Sequence, residues 1–203
     1  MKQMQGRPGN AMETAPSTGR DTSMRSPAAS HRHEICRLDA VTEAQLQSLA
    51  ELLIDCVDGG ASVGFMHPLS LPHALTFWRR VAHGVTQGER VLLVAQDAHG
   101  ITGSVQLVIA QPDNQPHRAD LAKMLVHRRA RRQGLGEALM RAAEDLAREC
   151  GKSLLVLDTV AGSDAQRLYA RLGWQSVGAI PGYALWPRGG LCDTHYFYRA
   201  LTG

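Results

Sequence analysis

The sequence has no long apolar run, and this absence limits the kinds of protein it can encode. Nothing in its 203 residues approaches the ~20 consecutive apolar residues of a membrane-spanning helix. Lys2 and Arg7 are not followed by the apolar segment of a secretory signal. We therefore expect a soluble, cytoplasmic protein that does not act at a membrane.

Cysteine is also scarce, and its spacing argues against the common zinc and redox motifs. The four cysteines lie far apart, at Cys36, Cys56, Cys150 and Cys192. Structural zinc sites and active dithiols need paired spacings, which this sequence lacks. The nine histidines form no convincing ligand pair, so we expect reduced, structural thiols and no metal.

Apolar periodicity is missing from the N-terminal segment. Residues 1–33 are largely Gly, Pro, Ser, Thr, Met and scattered charges, which cannot bury enough apolar surface to offset the entropy lost on ordering. The remaining length suits one α/β domain with a full core. The prediction is a disordered tail over 1–33 and a single domain over 34–203.

Hydrophobic periodicity predicts alternating helices and strands across that domain. Helical spacing of apolar residues indicates two helices that begin near residues 42 and 70. They are followed by strands at 91–96, 101–110 and 119–127, a helix at 134–150, a strand at 153–160, a short helix at 163–172, and two closing strands near 174–180 and 192–200 around a loop at 181–190. The unbroken apolar run 154–157 favours parallel pairing, so 119–160 is predicted to be a strand–helix–strand crossover.

A basic turn with two glycines lies within that crossover. The segment Arg131-Arg132-Gln133-Gly134-Leu135-Gly136 joins the strand to the helix. A helix N-terminus offers unpaired N–H groups and partial positive charge to a phosphate, and the glycines leave room for it. The alternative is a tight turn beside a solvated or nucleic-acid-facing patch. A net charge of only +3 and the lack of interleaved aromatic residues argue against nucleic acid.

This turn resembles the pyrophosphate-binding loop of the GNAT acetyltransferases, which has the pattern Arg/Gln-x-x-Gly-x-Gly/Ala. Arg131, Gly134 and Gly136 occupy the fixed positions. A second motif, Ala165-x-x-x-Tyr169-x-x-x-Gly173-Trp174, resembles the family's helix in which a tyrosine is followed by glycine and an aromatic residue. The resemblance implies the GNAT fold, a mixed central sheet flanked by helices, and acetyl-CoA as co-substrate.

The resemblance also implies which residues contact the cofactor. The main chain of the strand before the loop is expected to hold the pantetheine arm, and the loop to hold the pyrophosphate. The implied cofactor-binding residues are Met124, Leu125, Val126, Arg131, Arg132, Gln133, Gly134, Leu135 and Gly136. One departure is Gly162, because family members often carry an asparagine there that contacts the cofactor.

Three side chains are the expected catalytic residues. Tyr169 is expected to donate or share a proton with the departing sulfur, because a phenol of pKa ~10 and a thiol of pKa ~8.5 are close in proton affinity. Asp120 and Asp158 are expected to handle the proton of the attacking amine, by a water relay, a pKa raised by burial, or attraction of the substrate cation. The alternatives are a packed core tyrosine and two solvated carboxylates at strand ends.

Within the family, the chain from Leu52 onward is similar to the tabtoxin-resistance acetyltransferases, notably at 59–66, 157–159 and 181–183. This implies acetylation of a primary amine on an amino-acid-like β-lactam of the tabtoxinine-β-lactam type, for detoxification or antibiotic resistance. The alternatives are a peptide or protein N-acetyltransferase and a non-catalytic acyl-CoA sensor. We expect a small-molecule amine as partner, no nucleic acid, and a monomer or homodimer.

Overall fold

A computed structural model describes residues 33–201, so most of the predicted tail at 1–33 lies outside the described residues. The elements in chain order are β1 (Glu34–Leu38), α1 (Glu43–Asp58), α2 (Leu71–Thr86), β2 (Arg90–Asp97), β3 (Gly100–Val108), β4 (Arg118–Val126), a 3-10 turn (Arg128–Ala130), α3 (Leu135–Glu149), β5 (Leu154–Val160), α4 (Asp164–Arg171), β6 (Gln175–Leu185) and β7 (Leu191–Ala200). The predicted helices and most predicted strands are therefore confirmed.

The strands form one seven-stranded sheet in the order β1-β2-β3-β4-β5-β7-β6. Neighbouring strands run antiparallel except β4 and β5, which are parallel and joined through α3. The predicted mixed sheet and the strand–helix–strand crossover are thus confirmed. The prediction that β5 pairs in parallel is confirmed for its neighbour β4. It is wrong for its other neighbour, β7, which runs antiparallel.

Each face of the sheet is covered by two helices. On one face α3 and α4 bury a cluster that includes Leu139, Leu155 and Phe197. On the other face α1 and α2 bury a cluster that includes Leu53, Trp78 and Leu92. Each helix carries an apolar stripe along one side, and a sheet can pack against such stripes on both of its faces. A separate hydrophobic core therefore forms on each face of the sheet.

The strands β4 and β5 pair over a short length and then separate. Their register covers only Arg118–Asp120 against Leu154–Val156. Further along, β4 contains a bulge against β3, at a shift between Ser104 and Gln106, and Lys123 adopts a positive φ of 50°. A bulge bends the strand that carries it, and the gap between β4 and β5 opens the cleft described below.

Two parts of the fold differ from the prediction. The strand β1 was not predicted, because it is five residues long and follows a segment with no periodicity. The predicted loop at 181–190 is wrong over its first half, since β6 continues to Leu185. Pro181 is tolerated because β6 is an edge strand, and a register shift between Ile180 and Ala184 absorbs the turn residues.

Candidate active site

A cleft of about 1000 Å³ opens where β4 and β5 separate. One end, here called the loop end, is formed by the 131–136 segment, apart from Gln133, and by the start of α4. The other end, here called the aromatic end, is formed by residues 59–66 and 183–186. Lys123 and Asp158 also line the cleft, on the strands that form its walls.

The loop end presents free backbone N–H groups. The helix α3 begins at Leu135, and its first N–H bonded to a preceding carbonyl is that of Ala138, which donates to Gly134 O at 3.1 Å. Gly134 adopts a left-handed φ of 79°, which glycine tolerates without steric cost. Among the described residues, no acceptor takes the N–H groups of 134–137. This is the arrangement that binds phosphate at a helix N-terminus.

The two glycines of the loop serve different purposes. A Cβ at Gly134 would meet nothing within 4 Å, so its glycine is needed for backbone conformation. A Cβ at Gly136 would lie 3.2 Å from Leu168 Cδ2, so that glycine allows α3 and α4 to pack closely. The sequence led us to expect that both glycines leave room for a phosphate, and it indicated neither the backbone conformation at Gly134 nor the helix packing at Gly136.

The basic cluster divides into arginines that hold the loop and arginines that face the cleft. Arg128 Nε lies 2.8 Å from Asp55 Oδ1, and Arg129 forms an ion pair with Asp97. Burial alone would raise the pKa of Asp55, but hydrogen bonds from Arg128 hold that pKa below its ordinary value. Arg131, in contrast, lines the cleft.

Arg131 and Arg132 remain available to an anion. Arg131 Nε donates to Val126 O at 3.1 Å, and no carboxylate among residues 33–201 forms an ion pair with its guanidinium. Arg132 makes only a loose contact of 3.4 Å with Asp164, and both side chains are largely exposed. Because Arg128 and Arg129 are neutralised by Asp55 and Asp97, the cluster is not a free basic surface for nucleic acid.

The residues expected to bind cofactor do not all line the cleft. Those that do are Met124, Leu125, Val126, Arg131, Arg132, Gly134, Leu135 and Gly136. Gln133 does not, because its side chain turns away to donate to Arg129 O at 3.1 Å and to approach His33 at 3.3 Å. Beyond Asp120, β4 has no pairing with β5, so its backbone can pair with an extended ligand in the manner of an added strand.

Tyr169 is both a packed core residue and a wall of the cleft. It is 4% exposed, and its ring centroid lies 6.0 Å from those of Trp174 and Phe197. Burial, with a smaller contribution from the charge of Asp158, raises the pKa of the phenol. The hydroxyl therefore stays protonated at any working pH and can act as a hydrogen-bond donor.

Asp120 and Asp158 project from one face of the sheet but have different surroundings. Their neighbours Leu121 and Leu157 belong to the α3 core, so alternation places both carboxylates on the opposite face. Asp120 forms an ion pair with Arg118 and accepts from Gln111 Nε2 at 3.2 Å. It does not line the cleft.

Asp158, in contrast, faces the cleft without an ion-pair partner in the described part of the chain. Loss of hydration raises its pKa, and the nearby charge of Asp120 raises the pKa further. The opposing influence is Lys123, whose positive charge lowers the pKa of Asp158. A carboxylate with a raised pKa, open to a cleft, is suited to accept a proton.

Sequence reasoning missed one functional group, the side chain of Lys123. It was considered only as part of the strand that holds the pantetheine arm. The bulge turns its side chain toward α2, where Nζ lies 5.5 Å from the centroid of the Phe77 ring. A positive φ at a lysine has no signal in the sequence, so no pattern could have found it.

The cysteines carry no catalytic signature. All four are free thiols. Burial raises the pKa of Cys56, which also lines the cleft, to about 11. A thiol with this pKa stays protonated and is a poor nucleophile.

Comparison with known proteins identifies the family. A model of the acetyltransferase (GNAT) family matches residues 62–174. The chain belongs to the GNAT family. An uncharacterized N-acetyltransferase from the hisH–hisA intergenic region of Azospirillum brasilense is 32% identical to it over 161 residues, 77% of this chain and 94% of the relative.

Solved structures agree on the GNAT fold. An acetyltransferase from Salmonella typhimurium, solved with its cofactor acetyl-CoA, superposes with a TM-score of 0.68 at 19% identity, over 85% of this chain and 95% of that one. Ribosomal-protein-alanine N-acetyltransferase from Brucella melitensis gives a TM-score of 0.69 at 20% identity, over 82% and 99%. At these identities the likeness concerns the fold alone.

This GNAT protein is therefore an acetyl-CoA-dependent N-acetyltransferase. The free N–H groups at 134–137 and the exposed guanidinium of Arg132 fit the pyrophosphate of that co-substrate. In residues 33–201 no cluster of three or more His, Cys, Asp or Glu side chains is placed to hold a metal. None of the helices there has the length and apolar content that crossing a bilayer requires.

Proposed function

We propose that this GNAT enzyme acetylates the primary amine of a small, amino-acid-like molecule, of the tabtoxinine-β-lactam type, and so detoxifies it. The observation that carries the proposal is a bridge across the aromatic end of the cleft. Ser62 Oγ donates to Leu185 O at 2.9 Å, and the His67 N–H donates to Pro187 O at 2.8 Å.

The bridge favours a small acceptor over a polypeptide. It ties the 59–66 loop to the turn after β6, and a chain passing through the cleft would have to break these hydrogen bonds. The side chains around it include Phe65, Met66, Tyr183 and Trp186, which suit a compact ligand with apolar parts. A protein acceptor requires a groove that stays open at this end.

The cofactor-binding roles follow from the loop end. The N–H groups at 134–137, together with Arg131 and Arg132, hold the pyrophosphate, and the backbone of Met124–Val126, which has no pairing with β5, holds the pantetheine arm. When bound, acetyl-CoA supplies the activated acetyl group. The residues of the chain position it beside Tyr169 and Asp158, which both line the cleft.

Asp158 is the residue that takes the proton of the acceptor amine. It faces the cleft, has a raised pKa and attracts a cationic amine before accepting its proton, directly or through water. Asp120 contributes at a distance, because its charge raises the pKa of Asp158 although it is itself held by Arg118.

Tyr169 stabilises the departing sulfur by donating a hydrogen bond. Its pKa is raised above the ordinary phenol value, whereas a thiol has a pKa of about 8.5. Full proton transfer from the phenol to the thiolate is therefore uphill. A charge-assisted hydrogen bond needs no transfer and still lowers the energy of the thiolate.

The test is thiol release from acetyl-CoA across a panel of small amines that includes tabtoxinine-β-lactam, with short peptides alongside. We expect turnover of the β-lactam, little turnover of peptides, and a fall in kcat of about 10-fold or more in Tyr169→Phe, the loss of one hydrogen bond to a charged group. Tyr198→Phe is the matched control, since Tyr198 is 40% exposed and does not line the cleft.

Two results would count against the proposal. Turnover of peptides without turnover of any small amine would assign the enzyme to polypeptide acceptors. Equal loss of kcat in Tyr169→Phe and Tyr198→Phe would remove the role given to Tyr169.

A further inference from the structure

The bulge in β4 places a lysine on the wall of the acceptor cleft. The register skips one position of β3 between Ser104, opposite Leu125, and Gln106, opposite Ala122. Ser104 Oγ donates to Lys123 O at 3.0 Å, and this bond fixes the bulged backbone. As a result the Lys123 side chain lies on the same face as Asp158.

The ammonium of Lys123 is incompletely neutralised. Among residues 33–201, no carboxylate forms an ion pair with Nζ and no side chain or carbonyl accepts a hydrogen bond from it. Its contact is the face of the Phe77 ring, 5.5 Å away. Burial lowers the pKa of Lys123, the charge of Asp158 opposes that shift, and Arg90 adds to it.

The surroundings leave Nζ accessible from the cleft. A Cβ built on Gly64 would come within 3.9 Å of Nζ, so the absence of a side chain at Gly64 keeps that approach open. Phe77, whose ring lies beneath Nζ, packs edge-on against Phe65 with 5.1 Å between the ring centroids. A half-buried cation with three free donors, facing a cleft, is suited to an anionic group of a ligand.

We infer that Lys123 and Asp158 together recognise a zwitterionic acceptor, with Lys123 binding the carboxylate of the acceptor and Asp158 facing its amine. This rests on the proposed function and narrows it. The acceptor is a free amino acid or an analogue that retains the carboxylate near the amine. A peptide N-terminus presents a neutral amide at that position and leaves Lys123 without a counter-charge.

Lys123 is not simply the partner of Asp158. A structural ion pair would bring Nζ into contact with the carboxylate, and the two groups instead influence each other only at longer range. A ligand carboxylate bound to Nζ and a ligand ammonium group near Asp158 would neutralise the charges of Lys123 and Asp158 at the same time. Two opposite charges held apart across a cleft match the two charges of an amino acid.

The test compares each acceptor with its own carboxamide. We would measure kcat/KM for tabtoxinine-β-lactam and a set of free α-amino acids, each paired with its α-carboxamide, in the wild type and in Lys123→Met, Lys123→Arg and Lys152→Met. The ratio of carboxylate to carboxamide is the readout. A general loss of activity or stability lowers both members of a pair and leaves the ratio unchanged.

We expect the wild type to prefer the carboxylate by about 10- to 100-fold, the range for one hydrogen bond between charged groups. Lys123→Met should remove that preference, and Lys123→Arg should keep part of it. Lys152→Met is the control and should keep all of it, because Lys152 Nζ donates to Pro116 O at 2.7 Å and Lys152 does not line the cleft. Equal rates for both acceptors in the wild type, or an unchanged ratio in Lys123→Met, would overturn the inference alone. Turnover of no small amine would overturn the proposed function and the inference with it.

Discussion

The two ends of the cleft are built in different ways. The main part of the loop end is one continuous segment, 131–136, whose helix start and positive φ values bring free N–H groups together within a few residues, as an anion site requires. The acceptor side of the cleft, meaning the aromatic end together with Lys123 and Asp158 on the walls, is assembled from segments that are far apart in the sequence. The loop end is a local structure that one sequence motif specifies. The acceptor side exists only after the sheet has formed.

The largest effect should come from the acceptor side of the cleft. We predict that Asp158→Asn lowers kcat/KM for the amine by about 100-fold or more, the contribution typical of a general base. The KM for acetyl-CoA should stay the same, because Asp158 belongs neither to the loop nor to the strand segment Met124–Val126 that we assign to the co-substrate. Steady-state kinetics with Asp113→Asn as control would check this, since Asp113 is exposed in the β3–β4 connection. A loss of less than threefold would mean that Asp158 is not the base.

The pH dependence of the reaction should report Lys123 as well as Asp158. Because the pKa of Asp158 is raised, kcat/KM should fall on the acid side at a higher pH than an ordinary aspartate gives. Lys123 lowers that pKa, so in Lys123→Met the acid limb should move to still higher pH. A limb that stays in place would show that the two groups do not interact in the working enzyme.

The raised pKa of Asp158 also affects the stability of the folded protein. A folded-state pKa above the unfolded value means that the folded protein binds this proton more tightly. The contribution of Asp158 to stability therefore increases as pH falls through the raised pKa, and its carboxylate form is unfavourable at neutral pH. Asp158→Asn should accordingly melt at the same temperature as the wild type or higher near pH 7, while losing activity. A clearly lower Tm would contradict this.

A smaller and more local effect is expected at the loop end. Gly134 and Gly88 have positive φ values of 79° and 69°, and a Cβ at either would meet nothing within 4 Å. Replacement of either by alanine should therefore cost about 1–2 kcal/mol of stability. Only Gly134→Ala should also raise the KM for acetyl-CoA, because only that strain falls in the phosphate loop. Equal KM changes in the two variants would mean that the loop conformation does not matter for binding.

The sequence predicted features that local signals specify, and it missed features that depend on the assembled sheet. The helix that begins at Leu135 and the strand Leu154–Val160 were predicted because periodicity and glycine stops are local signals. The continuation of β6 through Pro181 was missed, since only its edge position makes proline acceptable there. Lys123 was missed because its direction depends on a bulge against β3. The pairing of Asp120 with Arg118 likewise depends on how β4 packs.

The most direct test of the account is the dissociation constant of acetyl-CoA, measured by calorimetry for the wild type, Asp158→Asn, and the double variant Arg131→Ala/Arg132→Ala. If the loop end holds the co-substrate and the acceptor side holds the acceptor, the double variant should raise Kd by at least about 10-fold, as loss of charged hydrogen bonds predicts. Asp158→Asn should leave Kd unchanged. A Kd that rises in Asp158→Asn, or that does not change in the double variant, would contradict this division of the cleft.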